Sequence, residues 1–215
     1  MEKQYNIILD PGHGGVDEIG TYVTAPNKMY VFPDGTTLYE GEINRKIVQH
    51  LANGFRSNPY GKHRIHFTVH PLDASDVPLR DRTNYINQFN PKNTICLSIH
   101  NNAFKGHNNT GSGFEAYTYF GQTNSDILSE DIYKAIKPTY EEYGLPIRTD
   151  KVSDGDSDKE IELHMTRETL CPTVLLEYAF FDNYDDAKLL QNDNFLKDIA
   201  FSTYFGIMNY LHRGL

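Results

Sequence analysis

The segment Asp10-Pro11-Gly12-His13-Gly14-Gly15 follows directly on the apolar run Ile7-Ile8-Leu9. Pro and Gly alone make a turn there, so the imidazole between the glycines needs another reason. A second histidine, His100, closes an apolar run in Ser98-Ile99-His100-Asn101-Asn102. A carboxylate, Glu177, sits inside the apolar run from Thr173 to Tyr178, where an unpaired charge is costly. Another carboxylate, Glu40, stands just before a helical pattern that begins at Ile43. Two imidazoles and a carboxylate are what a catalytic zinc takes, with the fourth position left to water. A further carboxylate nearby then serves as general base. The ordinary alternatives are satisfied core histidines and, for Glu177, a structural salt bridge.

These residues act together only if the fold brings them to one place. Ile43, Ile47, Leu51 and Phe55 recur every four residues, one stripe of an amphipathic helix. Further helical patterns cover Leu79 to Phe89, Ser125 to Tyr143, and a closing stretch from Phe195 to Leu211. Between them Ile7 to Leu9, Ile65 to Val69, Thr94 to Ile99, Gly113 to Tyr119 and Thr173 to Tyr178 read as short strands. Alternating strands and helices predict an α/β class, a mostly parallel twisted sheet flanked by helices in a single layered domain. Functional groups of such sheets gather beyond the carboxyl ends of the strands. That rule puts His13, His100 and Glu177 on one rim, with Glu40 closing over it from a helix start. Gly12, Gly14 and Gly15 are expected to let the backbone bend sharply and to keep the space around a metal open.

Two segments break the alternation. Tyr22 to Tyr39 holds Tyr22, Tyr30, Phe32 and Tyr39 around the turn signal Pro33-Asp34-Gly35, and reads as an inserted aromatic hairpin or loop over about 21–39. Its rings either offer flat faces to sugars or simply pack on the domain. Asp150 to Glu160 is acidic and polar, and is expected to be a mobile surface loop.

With 215 residues the chain is read as one domain, 1–215, able to bury its core without a disulfide or a structural metal. A net charge of −9 without basic runs argues against nucleic acid as a partner and against attraction to an anionic surface. No stretch approaches the roughly 18 apolar residues of a membrane span, so no membrane insertion is expected. Cys96 and Cys171 belong to no CxxC pair and are expected to be free thiols. His50, His63, His66, His107 and His212 carry no pattern and are read as surface or satisfied residues. Met1-Glu2-Lys3-Gln4 leads straight into the first strand, so synthesis in the cytoplasm without a signal peptide is expected.

The order LDPGHGG, YEGEIN, LSIHNNA with GSGFEAYTY, and CPTVLLEYAFFDN resembles the zinc-dependent N-acetylmuramoyl-L-alanine amidases of the amidase type 3 family. The resemblance runs from Ile7 nearly to the C-terminus. It implies one Zn2+ held by His13, Glu40 and His100, with Glu177 as the catalytic glutamate. Glu40 is preferred to Glu42 because the family's Glu ligand is followed four residues later by Asn, here Asn44. Arg82 is expected to brace the fold, Asn102 to support the metal loop on the substrate side, and Arg167 to lie toward substrate. The sequence departs from the family pattern at Ala179, at Val69-His70-Pro71, and in the long segment between His13 and Glu40. The implied activity is hydrolysis of the amide between N-acetylmuramic acid and L-alanine, with peptidoglycan as partner and the chain acting as a monomer at the bacterial cell wall. A phage-endolysin-like catalytic domain fits that reading, and an excised, extracellular domain is the other source of such a chain. A wall-binding module without activity, or a zinc peptidase cutting another stem-peptide bond, are the alternatives.

Overall fold

The computed structural model describes residues 4–24, 28–57, 63–104, 110–151 and 155–214, so His107 lies outside the described residues. A six-stranded sheet carries the domain, in the order β4 (Arg64–Phe67), β1 (Asn6–Pro11), β5 (Thr94–Asn102), β8 (Thr173–Phe180), β6 (Glu115–Thr118), β7 (Lys159–Glu160). β1 runs parallel to both β4 and β5, and β5 parallel to β8, while β6 is antiparallel to β8. Ile7, Ile8 and Leu9 are completely buried, as expected for a central parallel strand covered on both faces.

On one face α1 (Glu40–Ser57), α3 (Asn124–Tyr143) and α6 (Asp193–His212) enclose the main core. The α1 stripe Ile43, Ile47, Leu51 and Phe55 packs there, and Glu40 and Glu42 in its first turn favour the positive end of the helix dipole. α3 begins with a reciprocal cap between Thr123 and Asp126 and stops at Gly144, whose φ of 71° is the left-handed value a glycine adopts freely. On the other face α2 (Leu79–Ile86) and α4 (His164–Glu168) accompany a smaller cluster of Ile8, Ile86, Cys96, Met165 and Cys171. Cys96 and Cys171 are free and buried, and burial pushes the Cys171 thiol up to about 11. A last short helix, α5 (Tyr184–Leu190), connects β8 to α6.

The inserted segment forms a hairpin of β2 (Met29–Val31) and β3 (Thr37–Tyr39). Its rings pack on one another and on the domain: Tyr22 meets Tyr39 at 4.7 Å, Tyr30 meets Phe32 at 4.7 Å, and Phe32 meets Tyr184 at 5.7 Å. Phe32 and Leu38 are buried. The Asp150 to Glu160 stretch departs from the expected mobile loop. Ser157 and Asp158 are buried, and Lys159–Glu160 pairs in parallel with Tyr117 and Thr118 as the edge strand β7. Its composition is polar because backbone hydrogen bonds, not apolar side chains, attach it to the sheet. Residues 152–154 of that stretch lie outside the described residues.

A buried ion pair fixes the end of β1. Arg82, from α2, donates from Nη1 to Asp10 Oδ1 and to the Pro11 carbonyl, both at 2.7 Å, and from Nε to the Val77 carbonyl at 2.7 Å. Ser98 donates to Asp10 Oδ2 at 2.7 Å, and Thr68 donates to Oδ1. Burial alone would raise the Asp10 carboxyl, but Arg82 and the two hydroxyls hold it below the usual carboxylate range. The stability that this carboxylate contributes is therefore complete above its unfolded-state pKa of about 4, and is lost as pH falls through the lower folded value. Arg82→Ala leaves Asp10 charged and buried without its partner, and is expected to cost about 3–5 kcal/mol in urea unfolding at neutral pH. A loss under about 1 kcal/mol would mark the pair as dispensable.

Candidate active site

At the carboxyl ends of β1 and β5 the chain brings together His13, Glu40 and His100, with one donor atom from each lying within 4.8 Å of the others. Glu40 Oε1 stands 3.2 Å from His13 Nε2 and 3.1 Å from His100 Nδ1, and the two imidazoles meet edge to face at 4.9 Å. His13 is the only non-glycine residue at positive φ among the described residues, with φ 63°. The backbone bend expected of Gly12, Gly14 and Gly15 is thus made by the histidine itself. Two guanidiniums hold its carbonyl in that conformation: Arg45 Nη1 donates to it at 2.9 Å and Arg82 Nη2 at 3.4 Å.

The glycines supply closeness instead. A Cβ on Gly12 would fall inside the His100 ring, and one on Gly41 would overlap the Gly14 carbonyl. Asn44 Nδ2 donates to the Gly12 carbonyl at 3.0 Å and receives Asn101 Nδ2 on its own oxygen at 2.9 Å, tying helix, loop and β5 together. Glu42 points elsewhere: its Oε1 accepts the Val16 amide at 2.6 Å and closes the glycine loop. Glu40, not Glu42, therefore joins the imidazoles.

The electrostatics suit a cation. Glu40 is 1% exposed, and burial would raise its carboxyl, but His100 and His13 overrule burial and hold it well below the ordinary range. Burial lowers His13 despite Glu40 beside it, which keeps the imidazole neutral as a ligand must be. His13 Nε2 and Glu40 Oε2 are buried without a hydrogen-bond partner among the described residues. Lys28, at the start of the hairpin, approaches Glu40 Oε2 at 3.6 Å.

Glu177 lies beside this group, its register partner on β5 being His100. Its Oε2 is buried without a hydrogen-bond partner among the described residues. Burial pushes its carboxyl well above the usual range, and the charge of Glu40 adds to the effect. Its partner on the other side, in β6, is Glu115, a residue that the sequence reading missed. Glu115 accepts from Asn102 Nδ2 at 2.5 Å, Tyr117 Oη at 2.6 Å, Arg148 Nε at 2.6 Å and Lys159 Nζ at 2.5 Å. Burial opposes these donors, and together they hold Glu115 below the usual range. An acid within the apolar stretch GSGFEAYTY is the same signal that marked Glu177.

Asn102 thus serves the Glu115 network, with its carbonyl also accepting the Phe181 amide at 2.9 Å. Arg167 is not brought to the group. It pairs with Glu162 and Glu168 and lines a groove with Tyr5, Thr94 and Pro172, at the amino ends of β1, β5 and β8. It lies on the connection entering β8, whereas His100 and Glu177 stand near the opposite ends of their strands. The space beside His13 and His100 is a cavity of about 290 Å³, bordered by Asp76, Val77, Pro78 and Leu79.

A parallel-sheet α/β domain with a His/Glu/His group and a desolvated acid at its strand ends is the arrangement of a metal-site hydrolase. Residues 7–209 match the family described as N-acetylmuramoyl-L-alanine amidase (Amidase_3), and the chain belongs to that family. The endolysin of Bacillus phage SPP1 is 32% identical over 213 residues, covering 95% of this chain and 65% of the phage protein. N-acetylmuramoyl-L-alanine amidase CwlM of Bacillus licheniformis is 30% identical, covering 90% of this chain and 64% of that protein. The chain therefore spans slightly less than two thirds of either relative. Among solved structures, an N-acetylmuramoyl-L-alanine amidase from Clostridium difficile 630 superposes with a TM-score of 0.77 at 22% identity, over 99% of this chain and 98% of that one. The catalytic domain of CwlV from Bacillus (Paenibacillus) polymyxa var. colistinus gives 0.72 at 23% identity, over 97% and 98%. Both share the fold.

The close approach of Gly12 to His100 gives a direct test. Gly12→Ala is expected to displace the imidazole and to lower bound metal at least about tenfold, read by elemental analysis of the folded protein. Full metal occupancy in that variant would separate His100 from the metal group.

Proposed function

We propose that this chain hydrolyses the amide joining the lactyl group of N-acetylmuramic acid to L-alanine in peptidoglycan, with one Zn2+ held by His13, Glu40 and His100. One observation carries the reading: a buried carboxylate and two partly buried imidazoles converge, His13 Nε2 and Glu40 Oε2 lack a hydrogen-bond partner among the described residues, and Glu177 stands next to them. The donor set fits zinc, which takes imidazole nitrogen and carboxylate oxygen and leaves a position for water. When bound, zinc supplies Lewis acidity, which makes water nucleophilic near neutral pH and stabilises charge on the scissile carbonyl oxygen.

The chain's own residues supply the proton transfers. Glu177 accepts the proton of the attacking water as the new C–O bond forms. It then donates that proton to the alanine nitrogen as the C–N bond breaks, leaving a carboxylic acid and a free amine. Desolvation gives this carboxylate the proton affinity that the task needs, whereas Glu115, held by four donors, stays ionised. Glu40, kept anionic by the imidazoles, remains a ligand and does not compete for the proton. The cavity bordered by Asp76 to Leu79 opens on His13 and His100, which supports a substrate approach from that side.

The relatives named as an endolysin and as an amidase support action at the bacterial cell wall. Among the described residues no helix is long and apolar enough to cross a membrane. We read the catalytic unit as a monomer, because His13, Glu40, His100 and Glu177 all come from one chain.

Purified peptidoglycan digested by the protein should yield a new amino terminus on L-alanine with the glycan intact, and chelator should abolish the digestion. A new terminus elsewhere in the stem peptide would instead mark a peptidase. Glu177→Gln should keep its metal and fold while losing at least about 100-fold in rate. His100→Ala should lose the metal. Near-normal turnover in Glu177→Gln would remove that residue from the mechanism.

A further inference from the structure

A second group of acids lies at the far edge of the sheet, away from His13. Asp126, Asp156 and Asp158 each offer a carboxylate oxygen within 4.8 Å of the others. Three segments meet there: the end of β6, the first turn of α3, and the residues leading into β7. Asp126 is 3% exposed and is already committed to its helix cap, with Oδ2 accepting from the amide and hydroxyl of Thr123. Asp158 is fully buried.

Among the described residues, the hydrogen bonds around Asp126 and Asp158 fall short of their charge. The Thr118 hydroxyl contacts Asp126 Oδ1 at 3.2 Å and Asp158 Oδ2 at 2.5 Å. It has one proton and therefore satisfies one carboxylate at a time. Asp158 Oδ1 is buried with no hydrogen-bond partner among the described residues. Neither Asp126 nor Asp158 has an ion pair among the described residues, and the nearby cations Arg148 and Lys159 are both committed to Glu115. Uncompensated carboxylates at this depth are costly unless a positive charge joins them.

We propose that Asp126, Asp156 and Asp158 bind a hard divalent cation, calcium, which clamps the segment entering β7 to the sheet. Every charged donor is a carboxylate oxygen, with no imidazole or thiolate among them, the set that hard cations select. Calcium suits it better than magnesium because the donors come from a helix cap and a loop, with no near-ideal octahedron imposed. Gln122 Nε2 donates to Asp156 Oδ2 at 2.7 Å and orients that carboxylate. The residue after Asp158 is Lys159, which pairs with Glu115 beside Glu177, so the clamp also steadies the wall of the active site. A proton is the competing occupant. Burial together with Asp156 and Asp126 pushes the Asp158 carboxyl up to about 7.

Calorimetric titration of calcium chloride into the full, zinc-loaded chain is expected to show one site per chain, with a Kd of about 10⁻⁵ to 10⁻³ M. About 10 mM calcium should raise the thermal midpoint by about 3–8 °C. Asp158→Asn should abolish both effects and, by removing a buried like charge, raise the midpoint in calcium-free buffer. His100→Ala should keep the calcium response, which places the ion outside the His13 group. The proposal fails if the wild-type chain shows neither heat nor shift, a result that stands even if Asp158→Asn does not fold. An unchanged response in folded Asp158→Asn, its loss in His100→Ala, or a larger response to magnesium than to calcium would also overturn it.

Discussion

The carbonyl of His13 is gripped by two guanidiniums, and the rest of the site hangs on that grip. A histidine at φ 63° is held against its own backbone preference, which costs of order 1–2 kcal/mol. Arg45 and Arg82 stabilise it with charge-assisted hydrogen bonds from α1 and α2. Arg82 in turn is anchored on buried Asp10, which Ser98 and Thr68 also hold. One ladder of polar contacts thus runs from the end of β1 to the backbone carbonyl of His13. Without it the imidazole would swing away from Glu40 and His100.

Around this anchor the acids are sorted by environment. Glu40 sits between two imidazoles and is anionic; Glu115 receives four donors and is anionic; Glu177, between them, receives none at Oε2 among the described residues and is driven toward its protonated form. Three carboxylates near one another cannot all be ionised without partners. The fold assigns the partners to two of them and leaves the third desolvated, the environment that the proposed proton transfer uses. Lys28, brought in by the hairpin, adds a positive charge on the solvent side of Glu40. The hairpin's aromatic content is explained by its packing. Tyr22 packs at a tilt against Tyr39, and its hydroxyl accepts the Gly41 amide at the start of α1.

The far side of the site is built from an edge strand that polar residues disguise. β7 has two residues, yet it delivers Lys159 to Glu115 and closes the sheet beyond β6. Its attachment rests on backbone pairing and on Asp158, buried against Thr118. A strand of this kind carries neither an apolar run nor an alternation, so composition reads it as a loop.

Local sequence alone singled out the candidate site positions that carry a signature of their own. His13 between glycines, His100 at the end of an apolar run, and Glu177 within one are each anomalous where they stand. The periodic stripes also determined the α/β class, since 3.6-residue and buried-strand patterns follow from covering a sheet on both faces. Tertiary structure decided what depends on contacts between distant segments. It separated Glu40 from Glu42, two acids two residues apart in the first turn of α1, because only one faces the imidazoles while the other closes the glycine loop. It transferred the backbone bend from the glycines to His13, because Arg45 and Arg82 hold a conformation that no local preference favours. It removed Arg167 to the opposite rim, since a residue entering a strand and one leaving it are separated by the strand's length. Periodicity reports which face of an element is buried. It cannot report which polar side chains meet across that burial, and those meetings make the site.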